Sequence, residues 1–449
     1  MKSRRAIIIS AFCTVALAGG AVLAFAPGAS ALGAPIDLVV TTTDDYGGFI
    51  VDGQCDGGVD GTCSLREAVV EVDNNPSGGT VTFGVDGTFT LNGAIPVDDD
   101  EVSPVLVMGN GVAETVLVAS APIQNFRGAA EARHFDVQGG ELTLEDMTLR
   151  DGTAEFGGSV NVEQGGSLTT QDVHFLDNSA VFGGAVSATA GNDTVDIDRT
   201  TFSGNDAEYG GAIYVGRDTV EIVNSTFTAN SAPNGAAIYV LSLGKLTVDH
   251  STFSQNTVGE VRPASSSATP FQSFRSTAAV PAGLQFLAGT VVGEEYDVNV
   301  ADVTISNSIL EKTTGATTDE CLGPIDSGGG NVVDDESCDF TAALDQQSAL
   351  ADVGDLADNG GETFTMALTA ASPAVDVDPA GCSITDQRGL PRSTDGDGDG
   401  TTGCDAGAYE LQEATTTTEA TTTTEPDDDV AADTATPATP TVARPTFTG

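Results

Sequence analysis

Carboxylates crowd one short stretch near the end of the sequence, and their spacing suits a metal ion. Asp395, Asp397 and Asp399 alternate with glycine in the run DGDGDGTTGCD, and Gly400 follows directly. Calcium prefers several oxygen ligands presented around a tight turn, which this spacing allows. An EF-hand loop would also need glutamate at its twelfth position, where Ala406 stands. The stretch therefore predicts either a calcium site or a merely solvated acidic loop, and no other cofactor is expected.

Acidic and basic side chains in the middle of the chain could serve acid–base chemistry, but their pattern does not single them out. Outward positions of any strand array carry such residues, so the pattern favours a non-catalytic role. The three histidines, His134, His174 and His250, fall at unrelated places and are expected to be scattered surface residues without a shared metal ion. The candidates for acid–base chemistry are Asp172, Asp177, Asp196, Asp198, Arg199 and Arg217.

The charge balance excludes one class of partner. The 449 residues include 66 acidic and 16 basic side chains, which gives a formal net charge of -50. Nucleic-acid binding depends on clustered lysine and arginine, so no nucleic acid is expected as a partner. Such a charge attracts cations and keeps a protein soluble outside the cell.

Residues 1–31 have the pattern of a secretory signal peptide. Lys2, Arg4 and Arg5 form a basic start, an apolar centre follows, and Ala29-Ser30-Ala31 resembles a cleavage site. An uncleaved membrane anchor is the alternative interpretation. We expect a secreted or surface-attached protein, monomeric and without a transmembrane segment in its mature chain.

Six cysteines remain once Cys13 leaves with the signal peptide, which suits an exported disulfide framework. Six thiols allow 15 connectivities, but these six form three local couples along the chain. A zinc site is disfavoured because the sequence has no CxxC motif. The expected pairs are Cys55 with Cys63, Cys321 with Cys338, and Cys382 with Cys404.

The middle of the chain is an internal repeat. FSGNDAEYGGAIYV at 202–215 aligns without gaps to FTANSAPNGAAIYV at 227–240 and FLDNSAVFGGAVSA at 175–188, and more loosely to 149–162. The leading apolar residue recurs about every 26 residues, within the range of solenoid repeats. The recurring residues are Phe175, Phe202, Phe227 and Phe253, then Asn178, Asn205, Asn230 and Asn256, then Gly183, Gly184, Gly210, Gly211 and Gly235.

One repeat is best interpreted as one coil of a parallel β-helix, with three short strands per coil. Stacked coils would place equivalent residues above one another, about 4.8 Å apart. The phenylalanines would then form an interior stack. The asparagines would form a hydrogen-bonded ladder at a turn where asparagine tolerates left-handed backbone, and the glycines would form a second corner. Leucine-rich, helical and propeller repeats fit the period or its composition less well.

These motifs resemble known families over residues 35–411. The GGAI and FxxN pairing resembles the polymorphic outer-membrane protein repeat, and Cys63 to Ala68 match the CSLREA signature of an N-terminal domain. SPAVDVD at 372–378, DQRGLPR at 386–392 and CDAGAYEL at 404–411 resemble the closing motifs of the choice-of-anchor Q domain. The resemblance implies an all-β, right-handed, single-stranded parallel β-helix of the pectin-lyase-like type, on an exported or surface-attached protein.

The expected organisation follows from these segments. A signal peptide at 1–31 precedes an N-terminal cap at 32–80, in which CSLREAVVEVDNN has helical apolar spacing. The β-helix spans 81–310, with clear repeats at 147–256 and a loop insertion at 262–283. A disulfide-rich C-terminal cap covers 311–411, and a disordered tail rich in Thr, Pro and acids covers 412–449.

The expected function is a non-catalytic binding, adhesion or envelope role toward extracellular carbohydrate or a surface protein. The alternative is a polysaccharide lyase or glycoside hydrolase, since many parallel β-helices cleave acidic polysaccharides. A clustered carboxylate groove would favour the enzyme, and a flat face of small polar residues would favour binding.

Overall fold

The structure is a computed structural model that describes part of the chain. It describes residues 34–413, except 47–54, 56–60, 99–102, 121–122, 125–129, 242, 259–290, 294, 297–298 and 312–319. The signal peptide predicted at 1–31, the loop predicted at 262–283 and the tail beyond residue 413 lie outside the described residues.

The strands form three parallel ladders, as the repeat predicted, and each turn of the chain adds a strand to each ladder. The first ladder begins near the N-terminus and places alternate side chains inside and outside. Its strands are Ile36–Val40, Gly79–Phe83, Pro104–Met108, the first halves of Glu141–Arg150 and Ser167–Leu176, Thr194–Asp198, Thr219–Val223, Lys245–Asp249, Asp302–Ser306 and Asp326–Gly329.

The second ladder follows the first after a sharp bend in the chain, and the third ladder lies beyond the glycine corner. The second contains Gly87–Leu91, Thr115–Ala119, the second halves of Glu141–Arg150 and Ser167–Leu176, Thr201–Ser203, Thr226–Thr228, Thr252–Ser254, Ile309–Glu311, Val332–Val333 and Gln346–Gln347. The third contains Ile95–Asp98, Phe135–Gln138, Val160–Glu163, Val186–Ala188, Ile213–Val215, Ile238–Val240, Val291–Gly293 and Cys321–Leu322.

Short pairs of strands complete the described secondary structure. Thr153–Phe156 pairs in parallel with Ser179–Phe182. The antiparallel pairs are Ile123–Gln124 with Ala130–Glu131, Glu295–Tyr296 with Asn299–Val300, and Leu356–Ala357 with Thr365–Met366. Parallel pairing therefore extends to both sides of 81–310, from residue 36 to residue 347.

Helix α1, Leu65–Asp73, lies where the helical spacing predicted it. Ser64 caps its N-terminus by accepting a hydrogen bond from the Glu67 amide. Arg66 then fixes the helix to its surroundings, because it makes two 2.8 Å hydrogen bonds with the Asp45 carboxylate and two 2.6 Å bonds to the carbonyls of Gly93 and Ala94. The CSLREA string thus connects the helix to the first coils.

The repeat asparagines form one continuous amide ladder. Asn178 Nδ2 donates to Asn205 Oδ1 at 3.0 Å, and Asn205 Nδ2 donates to Asn230 Oδ1 at 2.9 Å. Each amide also bonds backbone groups of the adjacent coils, so all these side chains are buried and paired. The left-handed backbone, however, belongs to the residue before each asparagine, such as Asp177 and Ala229. Asparagine therefore recurs at this position because its amide bonds the adjacent coils. The expectation that it recurs for its tolerance of left-handed backbone is wrong.

The phenylalanines and glycines occupy the places that the repeat predicted for them. Ring centroids of Phe202 and Phe227 lie 4.6 Å apart with planes 6° from parallel, and the stack continues to Phe175 and Phe253. Gly210 has a φ of 68°. A side chain at Gly211 would lie 2.1 Å from the Ala236 carbonyl oxygen. The first glycine of each pair therefore sets the turn, and the second allows close stacking.

The C-terminal segment, residues 351–411, packs along the outside of the second ladder. Thr201 donates to the Phe364 carbonyl at 2.7 Å, and the Ala408 amide donates to Thr252 Oγ1 at 2.9 Å. Between them, buried Gln387 accepts from Thr226 Oγ1 and donates to Thr201 Oγ1, so one side chain bridges two coils. This segment therefore covers threonines that would otherwise face solvent.

The six cysteines of the described chain form three disulfides. The structure joins Cys55 to Cys63, Cys321 to Cys338, and Cys382 to Cys404. Two of the three lie in the C-terminal part of the protein. Each closes a short loop, of 8, 17 and 22 residues in sequence separation.

Candidate functional site

A bend between the first and second ladders places one residue per coil in a left-handed backbone conformation. Its residues have φ between 45° and 55°, a region that asparagine and aspartate enter most readily. This bend brings polar groups of successive coils into a single column. The column contains Asp146, Asp172, Arg199, Asn224, His250 and Asn307.

Three members of this column and one neighbour form what we call the corner cluster: Asp146, Asp172, Asp198 and Arg199. Arg199 binds both carboxylate oxygens of Asp172, from Nε at 3.0 Å and from Nη2 at 2.6 Å. Its Nη1 donates to Asp198 at 2.7 Å. Bidentate arginine–carboxylate pairs have fixed geometry, so Asp172 and Arg199 are held in place.

Asp146 stands one coil away from this pair, and its protonation is perturbed. Partial burial, followed by the negative charges of Asp172, Glu362 and Glu145, raises the pKa of Asp146 to about 6, against an opposing effect of Arg199. A carboxyl group that titrates near neutral pH can give or accept a proton, as general acids and bases do. The corner cluster therefore has the elements of acid–base chemistry.

Next to the corner cluster lies an open cleft of about 610 Å³. One wall is the second ladder, and the other is the hairpin of Leu356–Ala357 and Thr365–Met366. The volume is in the range of small-ligand sites. The lining residues are Thr88, Val112, Ala113, Glu114, Val116, Thr148, Arg150, His174, Leu176, Asp358, Gly361, Glu362 and Phe364.

The outer side of the first ladder from Glu141 to Ser306 is a second feature, which we call the open face. Its outward side chains are exposed or partly exposed and stand in register from coil to coil. Most are small and polar or acidic. Its central column contains Thr143, Thr169, Asp196, Glu221, Thr247 and Thr304.

The acidic turn brings Asp395, Asp397 and Asp399 together with a fourth carboxylate, that of Asp376. One ligand oxygen from each of the four residues lies within 4.8 Å of the others. Asp376 Oδ2 and Asp395 Oδ1 are buried and have no hydrogen-bond partner among the described residues. Burial, with the charges of Asp397, Asp395 and Asp399 adding to it, raises the pKa of Asp376. Asp376 thus supplies a carboxylate that Ala406 cannot supply.

This donor set fits calcium. Four carboxylates offer hard oxygen ligands, and two orphaned oxygens would gain a partner from a cation. Backbone amides of Gly400, Thr401 and Gly403 already bond the other oxygens of Asp395, Asp399 and Asp376, which fixes the turn.

The six residues that the sequence offered for acid–base chemistry do not form a single site. Asp172, Asp198 and Arg199 meet in the corner cluster, while Asp196 lies on the open face, and Asp177 and Arg217 are exposed elsewhere. Asp146 was missed, although the alignment of LTLEDMTL with LTTQDVHF equates it with Asp172.

The expectation that the histidines lie on the surface is wrong. His134 and His250 are fully buried, and His174 is 6 % exposed. His134 is enclosed by neighbouring coils, whereas His174 and His250 are also covered by the C-terminal segment. His134, for example, bonds the Leu117 carbonyl at 3.2 Å and Ser159 Oγ at 3.0 Å.

The charged residues of the closing motifs have structural partners. Asp386 accepts hydrogen bonds from Nε and Nη2 of Arg388, and Arg388 lies 3.6 Å from the Tyr409 ring centroid. Arg392 is buried and contacts Glu410 at 3.4 Å and Asn224 at 2.9 Å. The charge pairs therefore hold the C-terminal segment together, and the Arg392–Asn224 bond joins it to the coils.

Comparison with known proteins gives partial matches. The family description for the Chlamydia polymorphic membrane protein (Chlamydia_PMP) repeat matches residues 199–216, which form part of one repeat of this chain. A crystal structure of pectate lyase Pel9A aligns over 85% of this chain and 98% of that chain, with 14% identity and a TM-score of 0.37. This similarity is too low to argue from, so the fold assignment depends on the strand register itself. No curated protein matches the chain.

The described residues contain no helix long and apolar enough to cross a membrane.

Proposed function

We propose that this is a secreted, surface-associated β-helix protein that binds an extended carbohydrate or a protein partner through its open face, without converting it. The observation that carries this proposal is the regular register of that face. Thr169 pairs with Asp196, Asp196 with Glu221 and Glu221 with Thr247, so polar groups repeat at the strand spacing along a flat surface. An extended partner with its own repeat can meet such a surface at several points, which increases affinity without any single strong contact.

Secretion is part of the same proposal. It is supported by the signal-peptide pattern at 1–31, the three disulfides and the match to a membrane-protein repeat. The CSLREA and choice-of-anchor Q resemblances point the same way. The residues that carry the first resemblance form α1 and its N-terminal cap, and those that carry the second include the paired charges of residues 386–410.

A glycan array and whole-cell surfaces, scored for both retention and product release, test the proposal. Thr169→Arg with Thr247→Arg places two long cationic side chains on the open face. Asp355→Arg places one on an exposed position of the C-terminal segment. Retention that is lost in the face variant and kept in the control supports the proposal. Equal retention by both variants, or release of product, contradicts it.

The second candidate function is a carbohydrate-active enzyme at the corner cluster. It is favoured by one observation, the pKa of Asp146 near 6 beside the ion-paired Asp172. Two carboxyl groups in different surroundings are the usual arrangement for acid–base cleavage of a glycosidic bond. Release of reducing ends or unsaturated products that disappears in Asp146→Asn would establish this function in place of the first.

We also propose that the acidic turn binds calcium and so stabilises the C-terminal segment. The four carboxylates of Asp376, Asp395, Asp397 and Asp399 support this, together with their two unpartnered oxygens. The Cys382–Cys404 disulfide lies in the same part of the segment. A bound cation there would therefore reinforce an existing crosslink.

A further inference from the structure

The open cleft beside the corner cluster carries a negative charge that the protein leaves unbalanced. Glu114, Asp358 and Glu362 contribute carboxylates to its lining. Within the described part of the chain, the side chains of Glu114 and Glu362 have neither an ion pair nor a hydrogen bond. Arg150 is the one basic side chain of the lining, and it faces Asp151 at 3.5 Å. The cleft therefore attracts cations and repels anions.

Two of these carboxylates point toward one place. A Cβ atom on Gly111 would lie 2.6 Å from Oε2 of Glu114 and 3.9 Å from Oε2 of Glu362. Glu114 lies just before a strand of the second ladder, whereas Glu362 belongs to the C-terminal segment. Two parts of the fold thus present acceptors to the same position. An ammonium group, which has three donors and no acceptor, suits such an arrangement.

His174 adds a buried polar group that faces the cleft. Burial lowers the pKa of His174 to about 4, so the ring is neutral at physiological pH and does not oppose a cation. Its Nε2 lies 2.7 Å from Ser203 Oγ. No described residue pairs with Nδ1. With the proton on Nε2, Nδ1 is an acceptor for an N–H or O–H group of a ligand.

The cleft also has apolar walls. Phe364 is 39% exposed and packs edge to face against His174, with centroids 5.8 Å apart. Val112, Val116 and Leu176 line the cleft as well. A ligand with both C–H faces and polar groups, such as a sugar ring, can contact these walls while its donors reach the carboxylates.

We propose that this cleft binds a short amine-bearing saccharide, that is, one or a few amino-sugar rings with free ammonium groups. A uronate would be repelled by the same carboxylates. An N-acetylated sugar would lack the charge that they attract. A lysine-rich peptide has the charge but no ring faces for Phe364 and its apolar neighbours. This site is separate from the open face, so the inference goes beyond the proposed function.

The corner cluster gives an independent readout of ligand binding. Glu362 is among the charges that raise the pKa of Asp146. An ammonium group that neutralises Glu362 removes part of that repulsion. Binding should therefore move the pKa of Asp146 downward, which carboxyl-carbon NMR can follow.

Isothermal titration of the full chain tests the inference with four probes of matched length. These are a glucosamine tetramer, its fully N-acetylated form, a galacturonate tetramer and tetralysine. We expect the glucosamine tetramer to bind best, with affinity that falls as salt rises. Glu362→Gln should weaken its binding about tenfold or more, as expected for loss of a charged hydrogen bond. Glu163→Gln, on a third-ladder strand outside both the cleft and the open face, is the matched control and should change nothing.

Four results would overturn the inference. They are equal affinity for the acetylated tetramer, tetralysine binding as tightly as the amino sugar, equal losses in Glu362→Gln and Glu163→Gln, and no binding of the glucosamine tetramer. Failure here is distinguishable from failure of the proposed function, which concerns the open face and is tested with Thr169→Arg and Thr247→Arg.

Discussion

Arg199 holds Asp172 of the preceding coil through two hydrogen bonds, at 3.0 and 2.6 Å, and so fixes the charge beside Asp146. Because the positive charge of Arg199 opposes the rise in the pKa of Asp146, removing it should raise that pKa further above about 6. We expect Arg199→Met to do this and to lower the free energy of unfolding by about 1–3 kcal/mol, since the buried Asp172 loses its partner.

Carboxyl-carbon NMR titration measures this change. Arg217→Met removes an exposed cation from the same array and should leave the pKa of Asp146 unchanged. An unaltered Asp146 titration in Arg199→Met would contradict the electrostatic account of the corner cluster.

Asp146→Asn should change the pH dependence of stability. The folded pKa, about 6, lies above the unfolded value of 3.8, so the folded protein keeps a proton that the unfolded chain has lost. The contribution of Asp146 to the free energy of unfolding is therefore fully present below about pH 4 and is lost as pH rises through 6. We expect the asparagine variant to be more stable than the natural protein at pH 8, by about 1 kcal/mol after allowance for solvent screening, and equal to it near pH 4.

Urea unfolding at pH 4, 6 and 8 measures the difference. Glu163→Gln replaces a carboxylate on a third-ladder strand and should show no such trend. A stability difference that is constant with pH would show that Asp146 does not titrate as described.

Asn205→Ala should be strongly destabilising, because Asn205 bonds both neighbouring coils. Its removal would leave the Asn178 amide and the Phe175 carbonyl without their buried partners. Unpaired buried groups cost about 1–3 kcal/mol each, so we expect a loss of about 2–5 kcal/mol in the free energy of unfolding. Chemical denaturation measures it.

Gln171→Ala is the control, since Gln171 points outward on the first ladder. It should change stability by less than about 0.5 kcal/mol. Similar losses in the two variants would contradict the amide ladder.

The internal repeat made the stacking of the coils predictable from the sequence. Phe202, Asn205 and Gly210 recur at a fixed spacing, so their stacking follows from the sequence once one coil is taken as the unit. The residue with left-handed backbone was misplaced by one position, because the same pattern allows either the asparagine or its neighbour to make the turn.

The candidate sites were less predictable, because they combine distant segments. Asp376 joins the acidic turn from about twenty residues earlier, and no local motif marks it as a ligand. Glu362 and Glu114 meet across the cleft only because the C-terminal segment returns along the second ladder. Sequence spacing carries no signal for such a return. The same return of the C-terminal segment places Phe364 against His174 and so covers it.

Calcium should raise the thermal stability of the protein if the acidic turn binds it. Ligand bound only to the folded state at a hundredfold excess over Kd stabilises by about 2.7 kcal/mol, which corresponds to a Tm increase of a few degrees for a chain of this size. We expect chelator to reverse the effect and Asp397→Asn to reduce it.

Calorimetry with and without millimolar calcium measures the shift. Asp355→Asn removes an exposed carboxylate outside the turn and should keep the full response. A Tm of the natural protein that does not respond to calcium would contradict the proposal that the acidic turn binds calcium.

The central claim is that each coil stacks in register on the one before it. Spin labels on outward central-column positions test it by pulsed electron paramagnetic resonance. Thr169 and Thr304 are separated by four strand steps, and Leu106 and Thr304 by six. At about 4.8 Å per step, the two pairs should differ by about 10 Å, near 19 and 29 Å. Equal distances, or a shorter distance for the six-step pair, would contradict the stacked register.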